Sequence, residues 1–306
     1  MSLPIREVSR RAALGSLVAL GACKRKAKGS PYAGRWEGKL TNGLSALSMQ
    51  LDFAEKAPNE LELRATARDL FLSSHLIQDW AIEGSAFRFR LPMLEGDRSF
   101  SGFLSGPTFD VEAKDVGEKL HMRQLGRVPQ LPYREEAGGV MTPTNRSVRA
   151  KVQMLGSSAL LKHFHADLLA KMGVGVVAEG SSGAGVFVTE DMKMPEAKDG
   201  MPFLIALSPA YERIQELATF PCPLLVMLGE ADERFAKLER GTRQVAFDLR
   251  EALTKKGRKL ESFQIRVIPQ GDRTLRVHGY GKEYPRLSPQ YADHYRNFLT
   301  RFDSAV

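Results

Sequence analysis

Two serine clusters bounded by glycine are where this chain could do chemistry. One is Gly156-Ser157-Ser158; the other lies within Gly180-Ser181-Ser182-Gly183-Ala184-Gly185. A serine hydroxyl becomes a nucleophile when a base stands within hydrogen-bond reach. The flanking elements decide where these serines lie. Residues 151–155 read as a strand, 162–172 as an amphipathic helix, Gly173 as a turn and 174–177 as a buried strand. Strand, helix, strand and loop is the pattern of a parallel sheet. In such sheets ligands collect at the carboxyl ends of the strands, where both serine loops should fall.

Other reactive side chains are sparse. His75 and His121 have no Cys, His or carboxylate at metal-ligand spacing, so no metal site and no cofactor is expected. Of two cysteines, Cys222 sits between prolines ahead of an apolar run and reads as a buried small hydrophobe. Cys23 ends an N-terminal targeting segment. Arg6, Arg10 and Arg11 form its charged head, and the apolar run at 12–22 is too short to span a bilayer as a stable helix. Leu20-Gly21-Ala22-Cys23 resembles a bacterial lipobox, and Ser9-Arg10-Arg11 resembles a twin-arginine export signal. The expectation is a lipid at Cys23, a basic linker over 24–30, and an exported, membrane-tethered protein of the periplasm or envelope. With Cys23 lipidated, no internal disulfide can form.

The net charge of +8 raises the question of nucleic acid. Lys24, Arg25, Lys26 and Lys28 carry four of those charges beside the apolar run, and no basic stripe interleaved with aromatics follows. The excess reads as juxtamembrane, and no nucleic-acid partner is expected.

Residues 31–133 change to period two. Leu47, Met49, Leu51 and Phe53 alternate with other residues, as do Phe87, Phe89 and Leu91, with turn residues between runs. This predicts a small antiparallel all-β domain, with Trp36 as a core anchor at its first strand. The Pro- and Gly-rich stretch 134–143 reads as a linker to a second domain over 144–306. Further buried strands are expected over 201–209, 223–228 and 263–268, with helices over 210–220, 237–256 and 288–302.

An export signal, a G-x-W-x-G-x-L opening at Gly34, a meander and a parallel α/β segment resemble bacterial envelope α/β-hydrolases with an N-terminal β domain. The resemblance covers nearly the whole mature chain. It implies an α/β fold: an α/β-hydrolase-like, mostly parallel sheet, truncated if one segment is missing, preceded by the β domain. In that family a strand like the one in FPCPLLVMLGEADERF delivers the acid of a Ser–Asp/Glu–His triad, which here falls on Asp232. Two alignments of the second serine loop stay open. In one, Ser182 is the nucleophile on a worn G-x-S-x-G elbow. In the other, the loop follows the earlier helix and strand of the family, Ser182 is a plain loop residue, and the elbow segment is absent. The family's histidine slot after the last strand holds Arg273, and His278 is the nearest imidazole. The oxyanion donors implied are the backbone N–H groups at Gly156, Ser157 and Gly183.

Three functions follow. The first is an envelope serine hydrolase acting on ester or amide bonds through Ser182, His278 and Asp232. The second is a catalytically lapsed pseudo-hydrolase that binds a small ester, amide or peptide ligand, or an envelope partner. The third is a structural lipoprotein whose β domain does the work. The sequence leaves substrate and oligomeric state open.

Overall fold

The computed structural model describes residues 30–57, 60–144, 148, 150–189, 200–279 and 283–302. Cys23, the arginine head and the lipobox lie outside these residues.

Nine strands come first: β1 (Gly34–Thr41), β2 (Ala46–Ala57), β3 (Glu60–Ala67), β4 (Leu72–Ile77), β5 (Trp80–Glu83), β6 (Ala86–Leu91), β7 (Arg98–Ser105), β8 (Thr108–Ala113) and β9 (Glu118–Gly126). They form one antiparallel sheet in the order β4-β3-β2-β1-β9-β8-β7-β6-β5. Strict alternation of buried and exposed residues, clearest in β6, puts one face inside. The sheet rolls up, because Phe53 of β2 touches Trp80 of β5 and Phe87 of β6, near the far edge. Trp36 is fully buried against Phe53 and Phe109, and its indole N–H donates to the Tyr32 carbonyl at 3.0 Å. It is a core anchor.

The second sheet is mixed. Its strands are β10 (Tyr133–Glu135), β11 (Met141–Pro143), β12 (Lys151–Leu155), β13 (Gly175–Val177), β14 (Gly185–Val188), β15 (Leu204–Leu207), β16 (Leu224–Gly229) and β17 (Phe263–Ile268). They lie in the order β10-β11-β13-β12-β14-β15-β16-β17. β11 is antiparallel to β10 and to β13. All pairings from β13 through β17 are parallel. One reversed strand, a crossed pair, then strands laid side by side in chain order make this sheet hydrolase-like. Residues 174–177 and 224–228 thus run the same way in one sheet.

Alternation along these strands separates two cores. Leu225 and Met227 face one side with α1 (Ala159–Lys171) and α4 (Tyr291–Leu299). Leu224, Val226 and Leu228 face the other with α2 (Ile214–Leu217) and α3 (Thr242–Lys255). Burial on both faces is why these strands read as unbroken apolar runs.

The first core continues into the rolled sheet. The helix expected to be amphipathic, α1, is therefore buried nearly all round. Its second side meets the β domain, where Phe164 sits edge-to-face on Phe71 at 5.2 Å. Inside this seam Asp167 is wholly buried and accepts hydrogen bonds from Ser73, Tyr133 and the Lys171 ammonium.

Two expectations need correction. The stretch 134–143 is no bare linker, since β10 and β11 pair there as a hairpin, with Tyr133 and Met141 buried. Their three-residue strands are too short to show a period among glycines and prolines. The second is β14, a strand that neither alignment included. Its four residues, GVFV, are all buried.

Candidate functional site

The carboxyl ends of β12, β16 and β17 open on a cleft of about 660 Å³, roofed by the β6–β7 turn of the β domain. Its walls are Met93, Leu94 and Glu95 from that turn, Ser158 and Leu160 from the start of α1, Ala231 and Glu233 after β16, and Asp272, Arg273, Thr274, Arg276 and His278 after β17. This is where a parallel sheet is expected to hold a ligand.

Asp272 organises the β17 end of the cleft. Its carboxylate accepts from the Thr274 N–H at 2.7 Å, the Thr274 hydroxyl at 2.6 Å, the Arg276 N–H at 3.0 Å and His278 Nε2 at 2.6 Å. Burial would raise its pKa, but the hydrogen bonds from Thr274, His278 and Arg276 and the Arg276 charge outweigh that and hold it below the usual carboxylate range. Arg276 is itself buried. It reaches Glu95 of the β domain at 2.8 Å and lies 5.3 Å over the Phe71 ring. That bridge ties the roof to the floor of the cleft.

The implied triad is not assembled. Asp232 does stand just past β16 with its side chain fully buried. It is the N-cap of a short 3-10 turn at Glu233–Phe235. Its carboxylate is taken in a fork by Arg234, Nε to Oδ1 at 2.9 Å and Nη2 to Oδ2 at 2.5 Å. His278 is bonded to Asp272 instead. Ser182 is exposed in the loop 178–184, between β13 and β14. A strand follows it, not a helix, so it does not occupy a strand-to-helix elbow, and it is not among the residues lining the cleft. That loop is fixed by the Gly180 N–H donating to Gln153 Oε1 at 2.7 Å. Gly183, with φ +70°, turns the chain there, away from the proposed oxyanion role.

Gly156 and Ser157 do follow β12 at the cleft end of the sheet. A Cβ on Gly156 would come within 2.0 Å of Thr189 Oγ1, so close packing of the β12 and β14 ends accounts for this glycine. An elbow in a sheet of this order would come after β14. Residues 190–199 lie outside the described residues. Thr189 is wholly buried, its hydroxyl donating to the Leu155 carbonyl, and from Thr189 to Gly200 the sequence contains no serine or cysteine.

Sequence reasoning missed the grip of Arg234 on Asp232, the Asp272–His278 pair and the Arg276–Glu95 bridge. Only the second had a local signal: Asp272-Arg273-Thr274 is a turn-forming pattern that fixes a carboxylate. Cys222 is buried, which pushes its thiol pKa up to about 11 and makes it a poor nucleophile. Among the described residues no helix is long and apolar enough to cross a membrane.

No family model and no curated protein matches this sequence. The solved structures similar to this chain include these three. One is a protein of unknown function from Agrobacterium tumefaciens, given as a candidate alpha/beta hydrolase, at 13% identity over 56% of this chain and 96% of that one, TM-score 0.36. Another is the AtxE2 isopeptidase, at 10% identity over 84% of this chain and 52% of that one, TM-score 0.37. The third is oligopeptidase B from Leishmania major, at 8% identity over 87% of this chain and 58% of that one, TM-score 0.27. The chain spans little more than half the length of the two peptidases. All three TM-scores are low, so the hydrolase-like fold rests on the chain's own strand order and pairing.

Proposed function

We propose that this is a hydrolase-fold lipoprotein of the bacterial envelope whose serine chemistry has lapsed. Its cleft serves to bind a small ester, amide or peptide ligand, and a lipid on Cys23 keeps it at a membrane. The observation that carries this reading is the Arg234 fork on Asp232. A buried carboxylate satisfied by a guanidinium would lose that partner by turning to an imidazole, and breaking such a buried pair costs about 3–5 kcal/mol. The serine-free stretch after β14 and the exposed position of Ser182 support it.

The test is a fluorophosphonate probe together with p-nitrophenyl esters of short acids. Purified protein is expected to stay unlabelled and to cleave no ester above background. Labelling that Ser182→Ala abolishes would overturn the proposal.

A second reading has one observation in its favour. Asp272 and His278 form the carboxylate–imidazole half of an acid–base pair at the cleft. Ester cleavage that survives Ser182→Ala but disappears in His278→Gln would mean that this pair activates water. The tether is tested apart from the cleft, by incorporation of labelled palmitate that Cys23→Ala removes.

A further inference from the structure

We infer that the cleft accepts a zwitterion, an α-amino acid or short peptide with both ends free, its carboxylate on Arg273 and its ammonium on Glu233. This rests on the cleft being a ligand site, as proposed above.

Most of the charges around the cleft are already neutralised. Asp272 is taken by His278, and Arg276 by Glu95. Two charged side chains on the walls remain, Arg273 and Glu233. Both are exposed, and neither has a partner among the described residues, including each other. They come from different strand ends, Glu233 beyond β16 and Arg273 beyond β17.

Each is presented by a fixed turn. Asp272 accepts from the N–H groups of Thr274 and Arg276, just past Arg273, and the Asp232 carboxylate accepts from the Arg234 N–H to cap the turn that begins at Glu233. The backbone under each charge is thus set, so a ligand has only the two side chains themselves to order.

A ligand filling the cleft lies against both groups and takes part of their water, and a charge that loses water without gaining a partner is unfavourable. A neutral ester leaves both unpaired. A phosphate satisfies Arg273 but faces the Glu233 carboxylate, and a simple amine does the reverse. Only a molecule with both charges satisfies both walls. Met93, Leu94 and Leu160 give an apolar surface for a side chain between them. The volume of 660 Å³ suits a small ligand.

The test is calorimetric titration of the mature chain with Leu-Leu, N-acetyl-Leu-Leu, Leu-Leu amide and free leucine. Leu-Leu or leucine should bind, and blocking either end of the dipeptide should weaken binding about tenfold, the loss of one charge-assisted contact. Arg273→Gln should bind Leu-Leu and its amide alike. Glu233→Gln should bind Leu-Leu and its N-acetyl form alike. Both residues are exposed, so neither change threatens folding. Tighter binding of leucine than of Leu-Leu identifies an amino acid as the ligand, and the reverse order a peptide. The inference is overturned if blocked and free dipeptides bind equally, which leaves the cleft as a ligand site for neutral molecules. It also falls if the two variants bind Leu-Leu like wild type. Absence of binding by all four compounds at millimolar concentration overturns the zwitterion assignment and counts against the cleft itself.

Discussion

Arg234 settles what Asp232 can do. The Asp232 side chain is 0% exposed and Arg234 23%, so the two ends of this pair are not equivalent. Removing the arginine leaves a carboxylate with no route to water. Removing the carboxylate leaves a guanidinium that still donates to the Ser208 carbonyl at 2.8 Å and keeps some hydration. Arg234→Met should therefore lower stability by about 3 kcal/mol, and Asp232→Asn by clearly less. Urea denaturation of the two variants checks this; equal losses would mean that the buried carboxylate is not what sets the energy. The apolar run at 224–228 made it legible that Asp232 follows a strand, while its triad role was implied only by the resemblance. Its engagement was not legible, since an arginine two residues on is commonplace and its direction depends on the Ser208 carbonyl, 26 positions away. Of the two readings left open for Ser182, the plain loop residue agrees with the strand that follows it. Glycines around a serine mark a tight turn equally well before a helix and before a strand.

At the scale of elements, the long buried strands and their order could be read from apolar runs alone. Residues 151–155 and 263–268 were bounded as β12 and β17 are. What escaped were β10 and β11, three residues each in a stretch rich in glycine and proline, and the four-residue β14, which follows a glycine loop. Helix α1 escaped in another way. Its polar residues looked like a solvent face, yet Asp167 is buried because the β domain covers that side, and His165 because Phe187 of β14 and Tyr291 and Tyr295 of α4 pack around it. Asp167 is tolerated there by Ser73, Tyr133 and Lys171, and Lys171 contributes the one full countercharge among these three, at 2.7 Å. Lys171→Met keeps the stem and removes that charge, so it should destabilise the seam by about 1–3 kcal/mol. The combined change of Lys171→Met and Asp167→Leu should cost less than the two single changes added together, because the cavity then holds no unpaired charge. Strict additivity in a denaturant series would show that the pair does not couple.

For the molecule as a whole, the change from period two to unbroken apolar runs led to an expectation of two units, and how the two sheets meet was not legible. Their bridges join residues far apart in the chain, such as Arg276 and Glu95 at 181 positions. The seam also holds imidazoles that set the response to acid. His75 of β4 and His163 of α1 stand edge to face, ring centroids 4.9 Å apart. Burial, and then the charge that His163 can carry, bring the His75 pKa from 6.5 to about 4, with Glu135 opposing and Arg64 adding to the drop. Burial alone pushes His165 down to about 3. As pH falls below 6.5 the unfolded chain takes up these protons first, so both histidines contribute stability at neutral pH. That contribution is lost between 6.5 and about 4 for His75, and down to about 3 for His165. Glu135 adds a loss of the same sign lower down. His163, whose Nε2 lies 3.3 Å from the Glu135 carboxylate, and then Arg64 outweigh burial and hold that carboxyl at about 2, so its contribution declines from 4.5 downward. The melting temperature should accordingly fall steadily from pH 6.5 towards 4, and His75→Phe should make that part of the curve shallower without flattening it, because His165 still takes up its proton over the same range. A wild-type curve that is flat over this range would rule the seam out as the acid-sensitive joint. Since the same seam closes the cleft through Arg276 and Glu95, acid that loosens it should release a bound ligand before the parallel sheet unfolds.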